Sequence, residues 1–459
     1  MRTDYLSQAH VEFCKHNPSF ENFVHLPKEQ ATLLGAPLLE GPALSESLSS
    51  SVASLAKAIN RLCHLNSHDA LILLRSCFSA PKIMFTLRCS PCHSHPTLHE
   101  FDNLLKHGIS QITNSAVNDL QMIQASLPVK DGGLGIRRVA SLALPAFLAS
   151  AASTSDLQNQ ILSHAAFLQP GSLLDDYQRQ WQLATGITCP VGPGSHRQSA
   201  WDRPLINSDI AALHNNLTDS HNKARLVAVS TPHSGDWLFA LPITACGLRL
   251  DNEAVRVAVG LRLGINLCEP HTCPCGALVD ARGTHGLSCR SNPGRMSRHH
   301  HLNDIIHRAF SSCFVPAIKE PSGLSRTDGK RPDGMTLIPW QGGKSLLWDV
   351  TVVDTLANSY LASSSALAGS AAESAANRKE SKYSSLSTTY SFVPLAFETL
   401  GPINNKALEF LSALGHRISE STFDQKETSY LFQRISVAIQ RFNSVCFRNT
   451  FIPTPCDDS

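Results

Sequence analysis

Cys273, Cys275, His285 and Cys289 fall within seventeen positions of one another and supply three thiols and an imidazole. That is the soft and borderline donor set that tetrahedral Zn²⁺ prefers. Gly276, directly after the second thiol, lets the chain turn tightly round an ion. The Cys-x-Cys pair is tighter than the common Cys-x-x-Cys, so Cys268 stands as an alternative ligand in place of Cys273 or Cys275. Four protein ligands leave no position for water, which makes the expected ion structural. The plain alternative is a small core of buried thiols, since free cysteine packs like a small hydrophobe.

A second constellation is acidic. Pro332-Asp333 opens one predicted strand, Met335–Trp340, and Asp349 lies within the next, Ser345–Val353. A hairpin closed over Gln341–Lys344 sets Asp349 opposite roughly Thr336, with Asp333 a few residues further along the ribbon. An ionised aspartate among Leu346, Leu347, Val350, Val352 and Val353 is costly unless a cation meets it. Mg²⁺ is suited to that place, because two carboxylates, a phosphate and water complete its oxygen shell. Lys379 and Lys382, on the following helix, are placed to steady an attacking water and phosphate charge, and Glu398 ends the next strand as a further carboxylate. The competing reading has Asp333 capping a turn and Asp349 paired with a lysine or arginine. The run His299-His300-His301, ahead of a predicted helix, reads as a solvated or phosphate-touching helix start. Neither serine run, 48–51 nor 363–365, sits in a Gly-x-Ser-x-Gly elbow.

The elements that must hold these residues are legible in outline. With 459 residues, 42% apolar and 17% charged, the chain can bury several cores and is expected to form two to four units. A net charge of +2 argues against a histone-like or an acidic-tail protein. Fourteen cysteines behind an N-terminus with no apolar signal core predict a reducing compartment and no secretion. The longest uncharged apolar stretch, Leu142–Ala152, is too short for a bilayer and contains Pro145. Helical spacing predicts helices over Leu44–Leu62, Ala70–Phe78, Leu98–Ile112 and Ser141–Ala152, with a glycine loop at 127–138. A Pro/Gly/Ser-rich linker is expected at 189–204. A helix follows at 251–264. Beyond Arg298 come helices at His301–Phe314, Ala366–Leu386, Lys406–Ser419 and Gln425–Asn449, with a strand at Ser391–Glu398.

The run CPCG, HGLSC, RHHHLNDII, KRPDG, WDVTVVDT, RKESKY and FETLG resembles the C-terminal end of non-LTR retrotransposon polyproteins. LLGAPL at 33–38, LILLRSCFSAPK at 71–82 and LPVKDGGLGIRRVASLALPAFLASA at 127–151 are similar to the thumb that follows their reverse-transcriptase palm. The resemblance covers nearly the whole chain and is weakest over 153–235. It implies an α plus α/β chain in four parts: a helical thumb-like region 1–155, a helical linker 156–235, a zinc-knuckle-like region 236–298, and a PD-(D/E)XK restriction-like endonuclease domain 299–459. It further implies that Asp333 and Asp349 bind the catalytic ion and that Cys273, Cys275, His285 and Cys289 form the knuckle. The lysine that usually follows the second acid by two residues is here Thr351, and Lys379 or Lys382, with Tyr383 beside them, matches a displaced position on the next helix. No Phe/Tyr-Ala-Asp-Asp turn occurs, so no polymerase activity is expected. The implied partners are DNA and element RNA, not membrane, and the implied compartment is the nucleus.

Overall fold

A computed structural model describes residues 27–162, 172–324 and 331–452, together with Glu12 and Lys15; Lys330 of the KRPDG motif lies outside the described residues. The chain is mostly helical with a small sheet. After a two-strand turn, β1 (Thr32–Leu33) and β2 (Ala36–Pro37), come α1 (Pro42–Leu62), α2 (Ser67–Leu73), α3 (Ala80–Cys89), α4 (Thr97–Thr113), α5 (Asp119–Ser126) and α6 (Val139–Leu162). Leu44, Leu48, Leu55, Ile59 and Leu62 recur three, four or seven apart along α1, on one face, and are all buried. They meet Phe101, Leu105 and Ile109 of α4 in one core that also takes in Trp237, Leu250 and Val255. Within Ser67–Cys89 an 18-residue window reaches a mean hydropathy of 1.4, long and apolar enough to cross a membrane. Here Leu71, Leu74, Ile83 and Leu87 belong to that core.

The glycine loop does what its composition demands. A Cβ on Gly133 would sit 2.0 Å from the Leu127 carbonyl oxygen, so only glycine lets α5 and α6 be joined this closely. The expected linker at 189–204 is partly helical. After α7 (Ser172–Thr185), α8 (Gln198–Asn216) starts inside it and carries Pro204. Trp201 is buried against Trp181 at 5.1 Å between ring centroids, and that packing outweighs the local breakers.

α9 (Ser220–Val229) and α10 (Asn252–Leu263) lead to a small hairpin, β3 (His271–Thr272) and β4 (Leu278–Val279), and to a single turn, α11 (His285–Ser288). α12 (Gly294–Ser312) begins seven residues before the predicted His301 start. Then come β5 (Ala317–Lys319), β6 (Gly334–Gln341), β7 (Lys344–Val353), α13 (Leu361–Ala366), α14 (Ser370–Tyr383), β8 (Ser391–Glu398), α15 (Asn405–Thr422) and α16 (Glu427–Arg448). The predicted helix 366–386 is broken at Gly369, whose φ of +76° ends one helix and begins the next.

The sheet order is β5-β6-β7-β8, antiparallel except for the parallel pair β7-β8. Its two faces separate by residue parity. Leu346, Trp348 and Val350 of β7, with Leu395 and Phe397 of β8, pack on α12, α15 and α16. The opposite face meets α14 through Val353, Ala396 and the alanines 372, 375 and 376. Asp349 lies on that second face.

Candidate functional site

Two polar centres stand out. In the first, the Cys273 amide donates to the Ala277 carbonyl (2.9 Å) and the Gly276 amide to the Cys273 carbonyl (2.8 Å), which closes the loop between β3 and β4 round the thiols. Gly276 has φ +87°, a left-handed turn that brings Cys275 back over Cys273. His285 opens α11 and Cys289 ends it, the Cys289 amide donating to the His285 carbonyl at 2.9 Å. The four ligand atoms all lie within 4.8 Å of one another. The Cys273 and Cys289 sulfurs are 4.0 Å apart, and Cys275 Sγ is 3.2 Å from His285 Nε2. A tetrahedron with Zn–S bonds near 2.3 Å has sulfur–sulfur edges of about 3.8 Å. The cluster therefore could hold a metal such as zinc. Burial pushes the Cys273 thiol up to about 11, whereas the Ala277 amide and then His285 hold Cys275 down to about 6. Cys268 is beside the cluster and not in it: its sulfur faces the carbonyls of Asp280 (3.4 Å) and Ala281 (3.7 Å).

The second centre lies where β6 meets β7. Gly334 pairs with Trp348, so Asp333, one residue before the strand, stands opposite Asp349, not a few residues beyond it as a uniform hairpin would have it. The difference is a bulged strand. From Gln341 to Met335 β6 advances six residues, while β7 advances three, Lys344 to Leu347. Thr336 fills the gap, its hydroxyl accepting from the Leu346 amide (2.9 Å) and donating to the Ile338 carbonyl (2.8 Å). Gly334 allows the close approach, since a Cβ there would sit 2.0 Å from the Trp348 ring. Asp333 Oδ2 accepts from the Val350 amide at 2.6 Å, and Asp333 Oδ1 is 3.3 Å from His299 Nε2.

Asp349 is 2% exposed. Burial pushes its carboxyl above the usual aspartate range and the facing Asp333 adds to the effect, while Lys379 and Tyr383 pull it back. Lys379 Nζ lies 2.5 Å from Asp349 Oδ1. Of the two lysines left open by the sequence, Lys379 is therefore the one that reaches the acid. Lys382 instead donates to the Tyr383 hydroxyl (2.8 Å) and lies over its ring. Tyr383 is itself buried and donates to the Arg331 carbonyl at 2.9 Å. Helical phase carries the signal for this choice. At about 100° per residue, Lys379 lies about 20° from the centre of the buried stripe Ala372, Ala375, Ala376, Tyr383, and Lys382 about 80° away.

Glu398 is on the same sheet face but not in this site. β8 pairs Pro394 with Asp349 and Glu398 with Val353, which puts Glu398 four residues, or about 13 Å, along the sheet. Its Oε1 accepts from the Ala372 amide (3.0 Å) at the first turn of α14, and burial pushes its carboxyl up. His299, which the sequence suggested as part of a solvated or phosphate-touching helix start, instead faces the acid pair. It lies inside α12, not ahead of it, and the Asp333 carboxylate raises its pKa. Asn303, one turn on, is aimed at the same strand pair: it accepts from Trp348 Nε1 (2.8 Å) and donates to the Asp333 carbonyl (3.2 Å). The His299/Asn303 spacing of four is the signal that could have found it.

No family model matches the chain and no curated protein matches its sequence.

Proposed function

We propose that the chain is part of a non-LTR retrotransposon polyprotein and a metal-dependent endonuclease that nicks DNA, with a PD-(D/E)XK arrangement in residues 299–459. The observation that carries this reading is the convergence of Asp333, Asp349 and Lys379 on one strand pair, Lys379 Nζ being 2.5 Å from Asp349. Two facing carboxylates, one of them with its pKa raised first by burial and then by the other, form an all-oxygen donor set that suits a hard divalent cation. Bound by Asp333 and Asp349, Mg²⁺ would polarise a phosphodiester and lower the pKa of an attending water. The chain's own groups do the rest. The Lys379 ammonium supplies positive charge beside the carboxylates, where negative charge on the phosphate would grow. The Tyr383 hydroxyl and the packed alanine stripe hold α14 at the depth that keeps that ammonium in place. His299, whose pKa the Asp333 hydrogen bond raises, adds a ring nitrogen 3.3 Å from Asp333 on the α12 side. The Cys273/Cys275/His285/Cys289 cluster would act as a structural zinc knuckle, with DNA and element RNA as partners and the nucleus as the compartment.

The test is nicking of supercoiled plasmid with Mg²⁺. Conversion to open circles by the wild-type chain and not by Asp349→Ala is the expected result. Activity that survives Asp349→Ala refutes the assignment. A second reading, a catalytically silent nucleic-acid-binding remnant, is favoured by one feature: Asp349 and Asp333 already have partners within the chain, Lys379 and His299, as a purely structural pair would. DNA binding by folded protein without metal-dependent nicking would establish it.

A further inference from the structure

A cleft of about 520 Å³ lies far along the chain from the acid pair, between the start of α5, the end of α8, α9 and the end of α10. This is within the roughly 300–1,000 Å³ range of small-molecule sites. On its floor is Arg225, 6% exposed. Arg225 Nε donates to Asn222 Oδ1 (3.2 Å) and Nη1 to Gln124 Oε1 (2.9 Å) and the Arg262 carbonyl. Its Nη2 has no hydrogen-bond partner among the described residues. All three acceptors are neutral. Behind it, the buried Arg262 guanidinium is likewise spent on carbonyls, those of Val129, Gly133 and Ser234. Two guanidiniums are thus buried with no carboxylate bonded to either, a costly arrangement that an anion would offset.

Arg282 reaches the same cleft from the segment between β4 and His285. Asp219 is the acid nearby, and it is fully engaged. Its Oδ1 accepts from the His221 amide (2.8 Å), and its Oδ2 from Asn222 Nδ2 (3.0 Å) and Arg282 Nη1 (3.1 Å). The rest of the wall mixes apolar Leu217 and Ile265 with the amides of Asn118, Asn216 and Asn266. Asn266 makes no side-chain hydrogen bond among the described residues, and Asn216 uses only its Nδ2. Guanidiniums match phosphate oxygens, and amide side chains match base edges.

We propose that this cleft binds one nucleotide unit, its phosphate on Arg225 and Arg282 and its base against the Asn-lined apolar wall. The proposal does not depend on the nuclease reading, because neither Asp333 nor Asp349 contributes to the cleft.

The test is calorimetric titration of the full chain without divalent ions, using inorganic phosphate, adenosine and uridine 5′-monophosphates, and a short single-stranded oligonucleotide. A mononucleotide binding at least about tenfold more tightly than phosphate is expected. Arg282→Gln removes one charge-assisted contact and should weaken binding about tenfold. Asn216→Asp, at an exposed helix end where folding is not at stake, places a negative charge at the cleft mouth and should do the same. An oligonucleotide that binds more tightly than the mononucleotide assigns the unit to a strand; equal or weaker binding assigns it to a free nucleotide. The proposal is overturned if neither nucleotide form binds, if phosphate alone binds as tightly as the mononucleotides, or if Asn216→Asp leaves affinity unchanged. Asp349→Ala should bind as the wild type does, whatever its nicking activity.

Discussion

Replacing Thr336 by valine isolates the hydrogen bonds that hold the β6 bulge. Thr336 is fully buried, and its hydroxyl is the partner of both the Leu346 amide and the Ile338 carbonyl. Valine has nearly the same shape, so no cavity opens and the hydrophobic contribution barely changes. What remains is an unpaired buried N–H, costing about 1–3 kcal/mol, and a second lost bond of about 1 kcal/mol, together about 2–4 kcal/mol. Thr336→Ser is the control: it keeps the hydroxyl, loses one buried methyl, and should cost about 1 kcal/mol. Urea unfolding followed by tryptophan fluorescence measures both, and the valine variant should shift the midpoint without changing the slope. The same bulge sets Asp333 opposite Asp349, so nicking by the valine variant should fall further than the loss of folded protein accounts for. A valine variant within about 0.5 kcal/mol of the wild type, or a serine variant less stable than valine, would refute the account of the register.

Further expectations follow from the same geometry. Lys379→Met leaves Asp349 buried without its cation, which should destabilise the fold by about 3–5 kcal/mol and abolish nicking; Lys382→Met should do neither, and urea unfolding with the plasmid assay separates them. Glu398→Gln should nick as the wild type does, because Glu398 lies outside the acid site, whereas Asp349→Asn should be inactive. Elemental analysis should find one zinc per cluster, lost in Cys289→Ser and retained in Cys268→Ala, whose thiol lies outside the ligand set. His68 is fully buried, accepts from the Leu250 amide at 3.1 Å and has its pKa lowered by burial to about 4. The folded state thus binds fewer protons than the unfolded chain, so stability is complete above pH 6.5 and falls by about 3 kcal/mol as pH drops to 4. His68→Asn, which keeps an acceptor and does not titrate, should flatten that part of the curve.

The Cys/His cluster was legible apart from the choice between Cys268 and the Cys273/Cys275 pair, because each of its residues lies at a local turn: Gly276 bends the hairpin and the four-residue α11 spaces His285 from Cys289. β6, β7 and β8 were legible too, within one residue at each end, whereas the short strands β1 to β5 were not. Periodicity reports only neighbours in sequence, however, and so it could not see Trp201 drawing residues 198–204 of the expected linker into α8.

Sequence by itself picked out the residues that the structure gathers into two centres: the three thiols and imidazole, and the two aspartates with a lysine left open between Lys379 and Lys382. Tertiary structure alone decided how they meet. A buried threonine hydroxyl absorbs three residues of β6 and brings Asp333 level with Asp349. Small alanines let α14 approach the sheet with Lys379 turned inward and Lys382 to one side. The β6 register is set by contacts between segments far apart in the chain, which no local pattern encodes, whereas the phase of α14 was already carried by its alanine stripe.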